Sequence, residues 1–305
     1  MANTRRNFLQ SAAAAGFTAA AAAAQGSPAP GVPRQASEVQ VPKMKFGKAE
    51  VSRLICGCNT FYGYAHFNQT FGAVMREYFT PDRVCDVLHQ CNRFGINAFN
   101  YFPGARGPQD LERFEAEGGK MHLVAQGMAD AAASVKALKP LAIYHHGEQT
   151  DKAFQNGQMD SVREWCKKMR DLGTMVGVGT HKPEVIALVE EKGWDVDFYA
   201  GCVYNRTRTP EELRKVLNGE SVEMPGECYL QSDPPRMYKV MRATSKPCFA
   251  FKILAAGRIT NAEQAFRTAY ESIKPIDGVF IGLFPRVKDE VRENAERVHR
   301  ILTGA

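Results

Sequence analysis

The residues TMVGVGTHKPEVIALVEEKG, at positions 174–193, combine a short strand with a helix that follows it at once. Alternate side chains of a strand face opposite sides, so Val176 and Val178 are predicted to face a helical layer while His181 points the other way. The helix-like stretch opens at a proline and ends at Gly193, which are residues typical of the two ends of a helix. The segment therefore predicts a βα unit whose strand presents a histidine at its carboxyl end.

The same unit recurs along the chain from Arg53 onward. Eight β-rich runs alternate with helix-like stretches, the clearest of which are residues 80–95, 160–173, 182–193 and 261–273. The runs are RLICGCN (53–59), INAFNYF (96–102), MHLVAQ (121–126), LAIYHH (141–146), TMVGVGTH (174–181), DFYAGCVYN (197–205), CFAFKIL (248–254) and GVFIGLF (278–284). Eight such units in about 260 residues predict an α/β fold, a (β/α)8 TIM barrel, rather than an open doubly wound sheet. No GxGxxG follows a strand, which also argues against a dinucleotide-binding sheet.

Strand parity predicts which side chains face the interior of this barrel. The side chains predicted to face the helices are Leu141, Ile143, Phe249, Phe251 and Ile253. Those predicted to face the interior are Ala142, Tyr144, His146, Gly177, Gly179, His181, Cys248, Ala250 and Lys252. The doublet His145–His146 is thereby divided: His146 is a candidate site residue, because chemistry in such barrels lies at the carboxyl ends of the strands, and His145 is structural.

The N-terminal forty residues differ in character from the rest. Arg5–Arg6 precede an Ala-rich, weakly apolar stretch with small residues around Ala22–Ala24, a pattern typical of a twin-arginine export signal. We therefore expect a signal at residues 1–25, a Pro-rich linker at 26–40 and a barrel domain at 41–305. The twin-arginine export machinery would be a partner, the location would be periplasmic or secreted, and the mature form would have no membrane span.

Charge and cysteine content narrow the function classes. The net charge of +6 is mild and the basic residues do not form tracts, so nucleic-acid binding is not expected. The eight cysteines have no CxxC spacing. Because twin-arginine substrates fold in the reducing cytoplasm, buried free thiols are predicted rather than a disulfide framework.

Four segments resemble aldo/keto reductases, in order and from Phe46 to Leu302. They are FGKAEVSRLICG (46–57), GINAFNYF (95–102), VGVGTHKPEVI (176–186) and GVFIGLFPRVKDEVRENAERV (278–298). The resemblance implies the barrel fold with an opening hairpin. It also implies NADP-dependent carbonyl reduction by a tyrosine, a lysine, an aspartate and a histidine.

The matching positions depart from that catalytic set. Asn100 stands where the family has aspartate, Ala105 where it has tyrosine, and Gln126 where it has lysine, whereas His146 matches the histidine. None of the three replacements can donate a proton to an alkoxide, and general acid catalysis is typically worth about 10²–10⁴-fold. Reduction by the family's route is therefore not expected.

The cofactor positions also depart from the family. The Ser-Asn pair that binds the nicotinamide is replaced by Thr180–His181, and the family's strand-6 glutamine aligns near Gly201. Only Arg292, Glu293 and Asn294 persist. NADPH is scarce outside the cytoplasm, so NADP is disfavoured unless it is bound before export.

The predicted barrel mouth is rich in neutral hydrogen-bonding groups that suit a sugar-like substrate. The predicted substrate-binding residues are Asn59, Asn100, Gln126, Tyr204, Asn205 and Arg258, the last for an anionic group. His146 and His181 would act as acid and base. Lys252 would stabilise an oxyanion or form a Schiff base. The leading hypothesis is a lyase, hydrolase or isomerase acting on a carbohydrate-like carbonyl compound.

Several alternatives remain open. His146 and His181, with Glu148, could bind a divalent metal. An oxidoreductase could use Tyr101 or Tyr144 as proton donor, and a third alternative is a non-catalytic sugar-binding or partner-binding protein. The long segment 205–246 is either a flap over the barrel mouth or a pair of surface helices.

Overall fold

The computed structural model describes residues 35–128, 130–222 and 227–305. The predicted export signal, residues 1–25, lies outside the described residues, as does the linker up to residue 34. From residue 35 the chain approaches the barrel, and Val41 is buried in its outer core.

Eight parallel strands close into a barrel, preceded by a two-stranded antiparallel hairpin. The hairpin strands are β1 (Lys43–Phe46) and β2 (Ala49–Ser52). The barrel strands are β3 (Leu54–Gly57), β4 (Ala98–Tyr101), β5 (His122–Gly127), β6 (Ala142–His145), β7 (Met175–Thr180), β8 (Phe198–Cys202), β9 (Cys248–Phe251) and β10 (Gly278–Gly282). β10 pairs with both β9 and β3, which closes the barrel. All eight predicted runs contain a barrel strand, and the predicted fold is confirmed.

Helices surround the strands. Within the described ranges they are α1 (Gln69–Tyr78), α2 (Pro81–Arg93), α3 (Gly107–Ala116), α4 (Ala131–Leu138), α5 (Gly147–Gln155), α6 (Met159–Arg170), α7 (Pro183–Glu191), α8 (Pro210–Val216), α9 (Asp233–Ala243), α10 (Ala262–Ser272) and α11 (Glu290–Thr303). The four clearest helical stretches of the sequence coincide with α2, α6, α7 and α10. Two of these helices begin with a side-chain cap: Thr80 accepts a hydrogen bond from Arg83 N at the start of α2, and Asn261 accepts one from Gln264 N at the start of α10. None of the described helices combines the length and apolar character needed to cross a membrane.

The hairpin closes the amino-terminal end of the barrel. Met44, Phe46 and Val51 join the core inside the barrel. The Phe46 ring packs edge-on at 5.2 Å from Phe198 and 5.0 Å from Phe249, centroid to centroid. Because this end is filled with packed aromatic rings, a ligand site is expected at the opposite end, where the strands terminate.

The parity assignments are confirmed for β7 and for most of β6. Val176, Val178 and Ile143 belong to the core between barrel and helices, while Ala142 and Tyr144 belong to the core inside the barrel. Leu141, predicted to face the helices, instead packs against the inner core. It precedes the first residue of β6, so strand alternation does not extend to it.

The parity assignment of β9 is wrong. Phe249 lies inside the barrel, and Cys248 and Ala250 face the helices. Lys252 nevertheless reaches the barrel mouth. It follows the last residue of β9 and has φ of +61°, a left-handed conformation that interrupts the alternation of a strand.

His145 faces the helical layer, as predicted. Its Nδ1 lies 2.7 Å from Thr150 Oγ1, and its ring packs edge-on against Trp165 at 5.0 Å. Burial, with a smaller contribution from His146, lowers the pKa of His145 to about 4. A neutral, packed imidazole at this position is structural.

The cysteines are free thiols, as predicted. All eight lie in the described residues, and every one except the half-buried Cys228 is buried. The cysteines therefore contribute to packing rather than cross-linking.

Candidate active site at the barrel mouth

A cavity of about 490 Å³ opens at the carboxyl ends of the barrel strands. It contains six of the residues singled out from the sequence: Asn59, Asn100, Gln126, His146, His181 and Lys252. These residues follow or end β3, β4, β5, β6, β7 and β9 respectively. The prediction that strand ends converge on one site is therefore consistent with their positions.

Neutral polar groups form the floor of the cavity. Gln126 Nε2 donates to Asn100 Oδ1 at 3.1 Å, and Asn100 Nδ2 donates to the Tyr144 hydroxyl at 3.0 Å. Gln126 Nε2 also lies 3.2 Å from the Cys58 sulfur. Burial raises the pKa of the Cys58 thiol to about 12 and raises the pKa of Tyr144 as well. The floor can therefore bind hydroxyl and carbonyl groups but carries no charge near neutral pH.

His181 is oriented by a buried carboxylate that the sequence analysis missed. His181 Nδ1 lies 2.7 Å from Asp151 Oδ2, and the His181 backbone N–H donates to the same oxygen at 3.0 Å. Thr180 Oγ1 donates to Asp151 Oδ1, and Thr207 Oγ1 donates to Oδ2 at 2.8 Å. An acceptor-only carboxylate requires the proton of His181 to be on Nδ1, which leaves Nε2 as the acceptor nitrogen.

The ionisation of Asp151 agrees with this assignment. Burial alone would raise the pKa of this carboxyl group, but hydrogen bonds from His181, Thr180 and Thr207 outweigh it and lower the pKa. Asp151 is completely buried, so its charge is compensated by these donors rather than by water. An imidazole that becomes protonated on Nε2 would be stabilised by the adjacent negative charge.

His146 lies beside His181 at the start of α5. It is the N-cap residue of that helix, with φ of −60° and ψ of 133°, and it is half-buried in the cavity wall. Burial lowers the pKa of His146, opposed by Glu148 and reinforced by His181. Gly147 leaves room for the His181 ring, because a Cβ there would lie 3.1 Å from His181 Cε1.

Lys252 enters the cavity directly after the last residue of β9. Its ammonium has neither an ion pair nor a hydrogen bond among the residues that the structure describes. Burial, followed by repulsion from Arg206, lowers the pKa of Lys252 to about 8. Its left-handed φ is costly for a residue with a Cβ, and such strain is concentrated at functional sites.

Arg206 forms a second charged cluster that the sequence analysis missed. Its Nη2 lies 2.6 Å from Glu227 Oε1 and 3.1 Å from His66 Nδ1, and its Nη1 lies 3.4 Å from Glu148 Oε1. Burial alone would raise the pKa of Glu227, but His66 and Arg206 lower it to about 2. Arg206 is thus neutralised by two carboxylates, and the unpaired positive charge of the cavity is that of Lys252.

Aromatic side chains form the rim of the cavity, and the sequence analysis did not predict them. Tyr64 and Phe71 line the cavity and are 45% and 37% exposed. The Tyr64 ring packs at 5.6 Å from Phe102, and the Phe71 ring packs at 5.5 Å from Phe284. Exposed aromatic faces above a polar floor suit a ligand with both apolar and polar faces, as a sugar has.

Three predicted substrate-binding residues do not line the cavity. Tyr204 is buried in the outer core with its ring 5.1 Å from that of Tyr229. The backbone N–H of Asn205 donates to Asp233, and its side chain accepts from Thr207 N. Arg258 is exposed, donates to His66 O and Ala255 O, and stacks 4.3 Å above the Tyr229 ring. β8 ends at Cys202, so strand alternation no longer sets the direction of the side chains of Tyr204 and Asn205.

The segment 205–246 was predicted to be a flap over the barrel mouth or a pair of surface helices, and its described residues contain one cavity residue and two helices. Arg206, at its start, lines the cavity, whereas α8 lies further along the segment and α9 packs against α7, α10 and β8 as a helix of the barrel layer. Among residues 205–222 and 227–246, Arg206 is the residue that lines the cavity.

The two cavity histidines, His146 and His181, are also the metal ligands predicted from the sequence. Glu148 lines the same cavity, but its carboxylate lies 3.4 Å from Arg206 Nη1. Across residues 35–128, 130–222 and 227–305 there is no group of three or more His, Cys, Asp or Glu side chains placed to hold a metal ion.

The positions that bind nicotinamide in aldo/keto reductases do not face this cavity. The Thr180 hydroxyl is buried against Asp151 and Lys182. A side chain at position 201 would point toward Met241 in the helical layer. Arg292 lies beside Asp289, and Asn294 accepts from Arg297. These residues do not fit a nicotinamide, and no chemical step is assigned to one.

The two candidate proton donors of a reductase differ in position. Tyr101 is fully buried in the core between barrel and helices. Tyr144 lines the cavity, but burial raises its pKa and its hydroxyl is engaged by Asn100. Tyr144 is therefore a hydrogen-bonding group of the floor.

Comparison with known proteins identifies the architecture. No family model and no curated protein matches the chain. The chain is similar to a truncated 3-deoxy-D-arabino-heptulosonate 7-phosphate synthase from Thermotoga maritima, with a TM-score of 0.51 and 14% identity over 87% of this chain and 92% of that one. The fold is a (β/α)8 barrel. A phospho-2-dehydro-3-deoxyheptonate aldolase (DAHP synthase) from the same organism has a TM-score of 0.49 and 12% identity, over 87% and 73% of the two chains.

These similarities concern the fold alone. They do not show the aldo/keto reductase resemblance, which rests on the four sequence segments.

Proposed function

We propose that the protein is an enzyme that moves protons next to the carbonyl group of a carbohydrate-like compound, as a lyase, an isomerase or a hydrolase does. The observation that carries the proposal is the convergence of His181, supported by Asp151, with His146 and the unpaired Lys252 in one cavity. A general base, a second imidazole and a cation at the carbonyl are the groups that this chemistry requires.

The roles follow from the hydrogen bonds. His181 Nε2 takes the proton from the carbon next to the carbonyl, and Asp151 stabilises the resulting positive charge. Lys252 activates the carbonyl group. His146 exchanges a proton with the oxygen that departs or is re-protonated.

The polar floor and aromatic rim support the substrate class. The amides of Asn100 and Gln126 hydrogen-bond the hydroxyl groups of the substrate, and the rings of Tyr64 and Phe71 pack on its C–H face. One structural neighbour is named as a heptulosonate 7-phosphate synthase. At 14% identity the similarity supports the barrel fold, and the neighbour's name does not support a substrate.

The proposal is tested by deuterium exchange. The mature protein is incubated in D₂O with a panel of aldoses, ketoses and keto-glycosides, and incorporation next to the carbonyl is followed by ¹H NMR and mass spectrometry. His181→Gln should lower the exchange rate by about 10²–10⁴-fold. His122→Gln is the matched control, because His122 begins β5 at the opposite end of the barrel.

Two results would contradict the proposal. One is the absence of exchange with every compound, and the other is equal exchange by wild type and His181→Gln. Tight binding of a sugar without any exchange would identify a sugar-binding protein instead.

We also propose that the protein is exported by the twin-arginine route. Arg5–Arg6 followed by a weakly apolar stretch supports this. The full chain should appear in the periplasmic or secreted fraction, and replacement of both arginines by lysine should retain it in the cytoplasm. Unchanged export of that variant would overturn the proposal.

A further inference from the structure

Lys252 differs from the other lysines that the fold buries. Lys182 is 2% exposed and its Nζ lies 2.9 Å from both carboxylate oxygens of Glu212. Lys274 lies 3.0 Å from Asp277, and Lys246 is paired with Glu190. Among residues 35–128, 130–222 and 227–305, Lys252 has no such partner. Burying an unpaired ammonium is costly, so the fold must accommodate this group for another reason.

The backbone directs this amine into the cavity. β9 ends at Phe251, and Lys252 then adopts a φ of +61°. Ile253, the next residue, lies in the outer core, so the left-handed turn at Lys252 separates a cavity residue from a core residue. A side chain held in the cavity by a strained backbone and lacking a carboxylate partner is suited to react with the ligand.

We propose that Lys252 is a covalent catalytic residue that forms an imine with the carbonyl carbon of a polyhydroxylated aldehyde or ketone. This inference rests on the proposed function, since it assigns the way in which the carbonyl is activated. It names a covalent intermediate where that function requires only a proton transfer.

Atoms and electrons balance without an added oxidant or reductant. The lone pair of neutral Nζ forms a bond to the carbonyl carbon, and the π pair moves to oxygen, which takes a proton from the His146 side of the cavity. Loss of a proton from nitrogen and a second protonation of oxygen release water and leave a protonated imine. His181 Nε2 then removes the neighbouring C–H proton; the pair of that C–H bond becomes the new C=C bond, and the π pair of the C=N bond moves onto nitrogen, giving an enamine.

The surroundings of Lys252 favour nucleophilic attack. With a pKa of about 8, about a tenth of the Lys252 amines are neutral at pH 7, whereas an ordinary lysine is almost fully protonated there. Arg206 contributes to this depression by repulsion and is itself compensated by Glu148 and Glu227. Arg206 thus lies near the amine and lowers its pKa, while Glu148 and Glu227 form ion pairs with Arg206 rather than with Lys252.

The experiment traps the imine by reduction. Mature wild-type protein is incubated with dihydroxyacetone or D-fructose, treated with sodium borohydride and digested, and adducts are located by mass spectrometry. The reduced adduct should appear on the peptide that contains Lys252, only when both carbonyl compound and borohydride are present. It should be absent from Lys252→Arg and retained in Lys246→Arg, a lysine outside the cavity.

Deuterium exchange in the same samples separates this inference from the proposed function. An adduct on Lys252, together with exchange that is lost in Lys252→Arg, supports the imine. Exchange that persists in a folded Lys252→Arg variant, with no adduct in wild type, overturns the imine and leaves the proton-transfer function intact. An adduct without exchange overturns the function, and neither signal with any probe overturns both. Adducts spread over exposed lysines and unchanged in Lys252→Arg also overturn the imine.

Discussion

Replacing Asp151 by asparagine would remove one buried charge with little change in side-chain shape. The carboxylate accepts from Thr180 Oγ1, the His181 backbone N–H, His181 Nδ1 and Thr207 Oγ1. An amide offers one oxygen and an NH₂ group that cannot accept. At least one donor then loses its partner, and His181 Nδ1 loses the negative charge that places its proton.

The expected loss has two parts. Without an ionised partner, His181 no longer has its Nδ1–H tautomer enforced, and proton transfer should slow by about 10²–10⁴-fold. Stability should also fall by about 2–4 kcal/mol, because hydrogen bonds to a charged group are each worth roughly 1.5–3 kcal/mol and buried donors are left unpaired. Much of the protein should therefore stay folded while nearly all of the exchange activity is lost.

The stability difference should depend on pH in a defined direction. The pKa of Asp151 is lowered in the folded protein, so its contribution is fully present above the pKa of an unfolded aspartate, about 3.9, and is lost as pH falls through the lower, folded value. Wild type and Asp151→Asn should thus differ by a constant amount near neutral pH and converge only in acid.

The assay combines urea unfolding with deuterium exchange on the same samples. Asp277→Asn is the matched control, because Asp277 is also fully buried and accepts from Cys248 N and Lys274 N at 2.8 Å, but at the start of β9 rather than in the cavity. The control should lose stability and keep its exchange rate. A folded Asp151→Asn variant that exchanges as fast as wild type would refute the role assigned to His181.

Three further predictions concern stability and binding. Lys252→Met should raise the free energy of unfolding at pH 7 by up to about 3 kcal/mol, since it removes the cost of a buried ammonium whose pKa falls from 10.5 to about 8. The gain should shrink as the pH rises from 8 toward 10.5, because in that range only the unfolded state binds the proton. Lys239→Met, at the surface, is the control and should change the free energy of unfolding little. Phe46→Ala should lower the free energy of unfolding by about 3–5 kcal/mol in a denaturant titration, because it empties the inner core between the hairpin and β8 and β9. Phe71→Ala should raise the KM of any substrate that exchanges, with kcat little changed, because its ring is on the rim and 37% exposed; a fall in kcat alone would contradict the binding role.

Local patterns were sufficient to predict the barrel. Each run from RLICGCN to GVFIGLF carries its own β signal, and four of the stretches between the runs have a clear helical pattern, so the eight units could be counted without any long-range contact. Parity also placed β6 and β7, because those strands are regular up to His145 and Thr180. Parity failed for β9 because Lys252 has a positive φ, and the pattern of apolar residues does not reveal a positive φ at a lysine.

The site was predictable only where it follows the strands. His146, His181 and Lys252 were found because strand ends meet at one side of a barrel. Asp151 lies five residues after His146, within the first turns of α5. Helical spacing could have indicated that this acid lies on the barrel side of the helix. Arg206 and Tyr64 come from loops and Phe71 comes from α1, and their positions depend on contacts between parts of the chain that are distant in sequence.

A torsion angle, rather than a salt bridge, sets the direction of the Lys252 side chain. An amine aimed by a carboxylate must first be released from it by the incoming molecule, and the affinity of that molecule is reduced accordingly. Here the constraint is the φ angle of Lys252 itself, which fixes the direction of its Cα–Cβ bond. A ligand can thus meet a cation that is already aimed at the cavity and that has no ion-pair partner among the described residues to give up.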